Sequence, residues 1–210
     1  MLTIGLNNVY LGEVEYSLEQ VEMTDETMKH MKKFFAVKWF IFIVLALSIF
    51  FYFILTVVMK KMGIKLAGDA GMLNILQYVF VVLAAIMLAI SFFIRRPLND
   101  PELFLKTLKK RDFDPELLER FATKINDDSV KKVCGVVLLS NSIDVISWAL
   151  CEAVAILGLV LFFLSEDILY VQAFGGAALL AMGFFRPDFT VFTNLIESAL
   201  KEDEVVHESI

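Results

Sequence analysis

Four stretches of the chain, residues 39–59, 75–94, 145–164 and 168–185, are apolar almost from end to end. Between them they hold a single charged residue, Glu152. No other feature constrains the fold as strongly. A bilayer core about 30 Å thick is crossed by about 20 helical residues. In lipid every backbone polar group must also be satisfied within the protein, which a helix achieves on its own. A surface helix of a water-soluble protein keeps one polar face, and these stretches keep none. Composition agrees: 58% of the 210 residues are hydrophobic, with 20 Phe against four Pro, whereas soluble domains average roughly 45–50% apolar. The sequence therefore predicts an all-α polytopic membrane protein, with four transmembrane helices in two tandem hairpins and short amphipathic cytoplasmic helices beside them.

The chain divides accordingly. Residues 1–38 are read as a cytoplasmic N-terminal segment whose last part is a helix leading into span one. Leu11, Val14, Leu18 and Val21 mark a weak helical pattern, and Thr24-Asp25-Glu26 supplies a hydroxyl cap and first-turn acids for the helix that follows. The leading segment is acidic where a secretory leader is basic, so the first apolar block is expected to remain as a span. Residues 39–94 form the first hairpin, turning through a short loop with Gly63, Gly68 and Gly71. Residues 95–132 form a cytoplasmic helical linker with two helix starts of one design, Asp100-Pro101-Glu102-Leu103 and Asp114-Pro115-Glu116-Leu117. In each, Asp caps free amides, Pro suits the first helical position, and Glu favours the positive end of the helix dipole. Residues 133–185 form the second hairpin, with a tight turn at Ser165-Glu166-Asp167. Its first helix is expected to start after Asp127-Asp128-Ser129. Residues 186–210 form a cytoplasmic C-terminal helix and tail.

The two halves look alike. Span two closes on Phe92-Phe93-Ile94-Arg95-Arg96-Pro97 and span four on Phe184-Phe185-Arg186-Pro187. An amphipathic stretch follows each, which reads as tandem duplication of a two-span unit. Orientation follows from the basic residues, because Lys and Arg accumulate on the cytoplasmic side. Segments 1–38, 95–132 and 186–210 hold four, ten and two of the 19, and the intervening loops hold the other three. Both termini and the central linker are thus expected in the cytoplasm, with the chain multi-pass in the cell (inner) membrane.

The one constellation with chemical potential lies on span three. Glu152 sits seven residues past Val145, or about 10 Å along the helix. A charge at that depth costs several kcal/mol unless it is protonated, paired or hydrated. At about 100° per residue, Asn141, Asp144, Trp148 and Glu152 share one broad face. Glu152, Asp144 and Asn141 are therefore the candidate residues for ion or proton binding. A second face carries small side chains, Ser140, Ser147, Cys151 and Gly158, and span four adds Gly175 and Gly176. Small residues let helices approach closely in lipid, so Ser147, Cys151, Gly158, Gly175 and Gly176 are expected to form a tight seam between spans three and four.

The run Ala149-Leu150-Cys151-Glu152-Ala153-Val154-Ala155-Ile156-Leu157-Gly158-Leu159-Val160 resembles the proton-carrying helix of the ATP synthase c subunit (proteolipid). That resemblance covers about 12 residues and implies that Glu152 is a proton- or cation-binding carboxylate. Over roughly residues 36–187 the chain also resembles small bacterial four-span membrane proteins. These have two hairpins, a third span of the pattern A-L-x-E-A-x-A-x-x-G-L and a basic-Pro stop after the fourth. This second resemblance implies the fold and supplies no activity.

Other classes find no support in the sequence. The net charge is −6 and no basic run is interleaved with aromatics, so nucleic acid is not an expected partner. Cys134 and Cys151 form no CxxC and have no nearby His, and His30 and His207 are solitary, so neither a metal site nor a cofactor is expected. No HExxH, GxSxG, Walker loop or Ser/His/Asp set is present, and enzymatic activity is not expected. The reading that remains is a non-enzymatic integral membrane protein embedded in the lipid bilayer, a homo-oligomer or an accessory subunit beside other membrane subunits. Its rival is a protein that handles protons or cations through Glu152.

Overall fold

The computed structural model describes residues 25–62, 70–110 and 128–207. All the elements among them are helical: α1 (Asp25–Met62), α2 (Ala70–Arg95), a 3-10 turn (Arg96–Asn99), α3 (Pro101–Lys109), α4 (Asp128–Ser165), α5 (Ile168–Phe184) and α6 (Phe189–His207). The second Asp-Pro-Glu-Leu start, at 114–117, lies outside the described residues, as do most of the first loop and the acidic N-terminal segment. The chain divides into two compact units, residues 1–37 and 38–210. In the first, the described residues are the opening turns of α1; everything below concerns the second.

Three helical stretches are long and apolar enough to cross a membrane: Lys32–Met62, Leu73–Asn99 and Lys132–Ser165. The fourth apolar helix, α5, has 17 residues, about 25 Å of rise at 1.5 Å per residue. It qualifies only together with the first part of α6, from which a 47° bend separates it. The protein is therefore a helical chain with three or four candidate membrane spans.

Helix boundaries follow from local chemistry. The Asp100 side chain accepts from the Leu103 amide at 3.2 Å with Pro101 at the first helical position. Asp167 caps α5 by accepting from the Leu169 amide at 3.0 Å. The turn between α4 and α5 takes two residues and places Glu166 at φ 60°, a left-handed conformation that costs a non-glycine residue about 1 kcal/mol or more. α5 ends three residues before Pro187, whose ring nitrogen cannot donate and which disfavours helical backbone before it.

α4 is the central post. Its closest backbone neighbours are α5 and, next, α2. Gly158 explains the close approach of α5: a Cβ there would lie 2.6 Å from Phe174 Cβ and 2.8 Å from the Tyr170 carbonyl oxygen. The buried cluster around α4 includes Trp148, Cys151, Val154, Leu161, Phe174, Ala178, Met182 and Ile49 of α1. A second buried layer caps the end of the bundle where α2 finishes and α4 enters. There α6 packs on α4 and α3, with Phe104, Val136, Phe192, Leu195 and Ile196 buried.

Candidate functional site

The polar face of α4 is turned toward α1. Three contacts descend it at four-residue steps, the spacing that keeps side chains on one helix face. At the top, Lys38 Nζ forms an ion pair with Asp144 Oδ2. One turn on, the rings of Phe42 and Trp148 meet edge to face at 5.3 Å. Another turn on, Glu152 Oε1 accepts hydrogen bonds from Ser48 Oγ at 2.6 Å and from Tyr52 Oη at 3.0 Å. The two carboxylates are eight residues apart, about 12 Å along the axis. α1 and α4 are thus joined by two polar ties with an aromatic contact between them.

The upper tie is a cluster of three charges. Asp144 is buried, and its Oδ1 lies 3.1 Å from Arg95 Nη1 at the end of α2. This is an ion-pair contact at an angle too poor for a hydrogen bond, and Oδ1 has no other partner among the described residues. Lys38 also donates to Ser140 Oγ at 3.0 Å and stands 5.7 Å from the centre of the Phe192 ring. Arg95 reaches in the other direction as well. It donates to the Phe185 carbonyl oxygen and, through Nη2, to that of Arg186 at 3.2 Å. Trp148 Nε1 donates to the same Phe185 oxygen at 2.8 Å. The end of a helix leaves carbonyls without intrahelical partners, and the break before Pro187 creates such carbonyls at Phe185 and Arg186. Arg95 and Trp148 satisfy them. The cluster therefore brings together α1 at Lys38, the end of α2, the start of the buried part of α4 and the end of α5.

The predicted site residues fall in different places. Glu152 and Asp144 are both tied to α1, in separate clusters. Asn141 is half-buried on the same face, one turn before Asp144. Ser147 and Cys151 are buried, but their polar neighbour is on α2: Ser91 Oγ donates to the Ser147 carbonyl oxygen at 3.1 Å and lies 3.9 Å from Cys151 Sγ. The expected α4–α5 seam is met at Gly158, 11 residues beyond Ser147 and about 16 Å further along the axis, where a different neighbour covers the same face. Gly175 faces α1, since a Cβ there would lie 2.9 Å from Phe53 Cζ. Gly176 is placed differently. A Cβ at this position would meet nothing within 4 Å, because one residue turns the helix by about 100° and carries Gly176 out of the contact that Gly175 makes.

Lys38, Ser48, Tyr52, Ser91 and Arg95 were not singled out from sequence as parts of a site. Lys38 and Arg95 read there as membrane-edge and stop signals. The clue was available in the topology. In the antiparallel four-span arrangement expected from the sequence, the start of span one, the end of span two, the start of span three and the end of span four share one membrane edge. An acid at position 144 belongs at the level of positions 38, 95 and 186.

At the same edge, a cleft of about 510 Å³ opens between the end of α2 and the 183–188 segment. Its walls include Phe92, Arg95, Asn99, Phe184, Arg186 and Asp188. Among the described residues, no group of three or more His, Cys, Asp or Glu side chains is placed to hold a metal ion. No family model matches this chain, and comparison with curated proteins and with solved structures finds no match.

Proposed function

We propose that the chain is a non-enzymatic subunit of a membrane complex, either a homo-oligomer or an accessory component beside other membrane proteins. In this reading it has four spans in two tandem hairpins. Both termini, the 95–132 linker and the amphipathic helices lie on the cytoplasmic side of the cell inner membrane, as the distribution of Lys and Arg requires.

One observation carries the reading: the ionisable groups Lys38, Arg95, Asp144 and Glu152 are spent on joining helices to each other. Lys38, Asp144 and Arg95 bind three helices at one level, and Glu152 binds a fourth contact point through Ser48 and Tyr52. α1 and α2 meanwhile turn large apolar side chains outward, among them Phe40, Phe51, Ile54, Tyr78, Val82 and Phe93. That surface suits lipid and the apolar flank of another membrane subunit. A photo-crosslinking residue placed at Phe51 or Val82 tests this in native membranes. Protein adducts of defined mass are expected at one position or both; adducts with lipid alone would contradict the proposal.

A second reading is proton or cation handling through Glu152. It is favoured by the local resemblance to the proteolipid carboxylate helix. It is also favoured by the setting of the carboxylate, which is half-buried, takes both described hydrogen bonds on Oε1 and has no ion pair among the described residues. Carbodiimide reagents would then label Glu152 selectively, protons or cations would protect it, and Glu152→Gln would abolish function with assembly intact. Under the subunit reading, Glu152→Gln leaves both assembly and function in place.

A further inference from the structure

The charges at the membrane edge do not cancel. Lys38 and Arg95 are cationic, Asp144 is anionic, and their side chains are 5%, 13% and 2% exposed. Counted by formal charge among the described residues, the buried cluster thus holds one basic group in excess. Arg186 and Asp188, which complete the charged wall of the adjoining cleft, add one charge of each sign and leave the excess in place. Uncompensated charge away from water is costly and draws a counter-charge. Arg95 itself lines the adjoining cleft.

The walls say what kind of anion fits. Arg95 and Arg186 bring guanidinium groups suited to phosphate oxygens, and Asn99 adds an amide at the rim. The Asp188 carboxylate is engaged, with Oδ1 accepting from the Thr190 amide at 2.8 Å. Phe92 and Phe184 line the cleft and are 52% and 78% exposed, so an apolar surface runs from the polar floor onto the flank of the apolar helices. We propose that this cleft binds the phosphate group of an acidic phospholipid, with the headgroup against Arg95 and Arg186 and the acyl chains lying along Phe92 and Phe184. The single excess charge favours a lipid of net charge −1 over a zwitterionic one. The proposal is independent of the subunit reading, since a monomer can bind lipid in this way.

Native mass spectrometry of the full chain in mild detergent tests it, with phosphatidylglycerol, phosphatidylcholine and inorganic phosphate as separate probes. Phosphatidylglycerol is expected to be retained at about one per chain and at least tenfold more strongly than phosphatidylcholine. Arg186→Gln, an exposed position, should weaken phosphatidylglycerol retention about tenfold, the scale of one charge-assisted hydrogen bond. Arg96→Gln, next to the cleft but outside its walls, should leave it unchanged. Binding of inorganic phosphate that competes with phosphatidylglycerol and is lost in Arg186→Gln would assign the site to free phosphate and overturn the lipid. Equal retention of the two lipids, or indifference to Arg186→Gln, would overturn the anion site altogether.

Discussion

Asp144→Asn should be the most damaging isosteric change in the bundle. Among the described residues, Asp144 is the sole acid in a buried cluster with Lys38 and Arg95. Its neutralisation raises the buried charge from one positive to two while the amide keeps nearly the same shape. Removing one partner of a buried ion pair typically costs about 3–5 kcal/mol. Lys38→Met acts in the opposite sense. Asp144 keeps Arg95 at 3.1 Å, the cluster becomes neutral, and the methionine stem fills the same space, so the expected cost is about 1 kcal/mol. For a chain of about this length, 1 kcal/mol corresponds to roughly 2–4 °C in the unfolding midpoint. Asp144→Asn should therefore lower the midpoint by about 6–20 °C and Lys38→Met by about 2–4 °C. The double variant returns the buried charge to one positive and should be more stable than Asp144→Asn alone, a coupling expected only of groups that touch. Thermal unfolding of the full chain in mild detergent, followed with a thiol-reactive dye at the buried Cys151, measures all three. An Asp144→Asn midpoint no lower than that of Lys38→Met would refute the charge argument.

Three further outcomes are expected, two from the contacts and one from the distribution of Lys and Arg. Glu152→Gln should keep the α1–α4 tie because the amide oxygen still accepts from Ser48 and Tyr52, whereas Glu152→Leu should lose about 1–2 kcal/mol in the same unfolding assay. Gly158→Leu should destabilise the chain strongly, since even a Cβ would lie 2.6 Å from Phe174 Cβ, while Gly176→Leu meets open space and should shift the midpoint little; equal effects would misplace the α4–α5 contact. Cysteine labelling in intact cells should reach positions near Gly68 and Glu166 from outside and positions near Lys110 and His207 only after permeabilisation, and outside labelling at Lys110 would reverse the topology.

What the sequence made legible was set by periodicity and by capping chemistry. The apolar blocks announced the long helices, and Asp100-Pro101 announced the start of α3. The face shared by Asp144, Trp148 and Glu152 was also readable, because helical geometry alone fixes it. What that face meets was not readable. Ser48 and Tyr52 are ordinary residues of an apolar span until a carboxylate lies opposite them, and Arg95 looks like a topology signal until its reach to Asp144 and the Phe185 carbonyl is seen. The small-residue stripe misled in one respect. Small side chains permit close packing without naming a partner, so Ser147 and Cys151 meet α2, Gly158 meets α5, Gly175 meets α1 and Gly176 meets none of them.

The central claim is that the polar groups of these helices serve assembly rather than transport. The most direct test is the mass of the particle released from native membranes in mild detergent, measured intact for the unaltered chain and for Glu152→Gln. The account predicts a complex heavier than one 23.8 kDa chain, of the same composition in both. A lone monomer from the unaltered chain would contradict it.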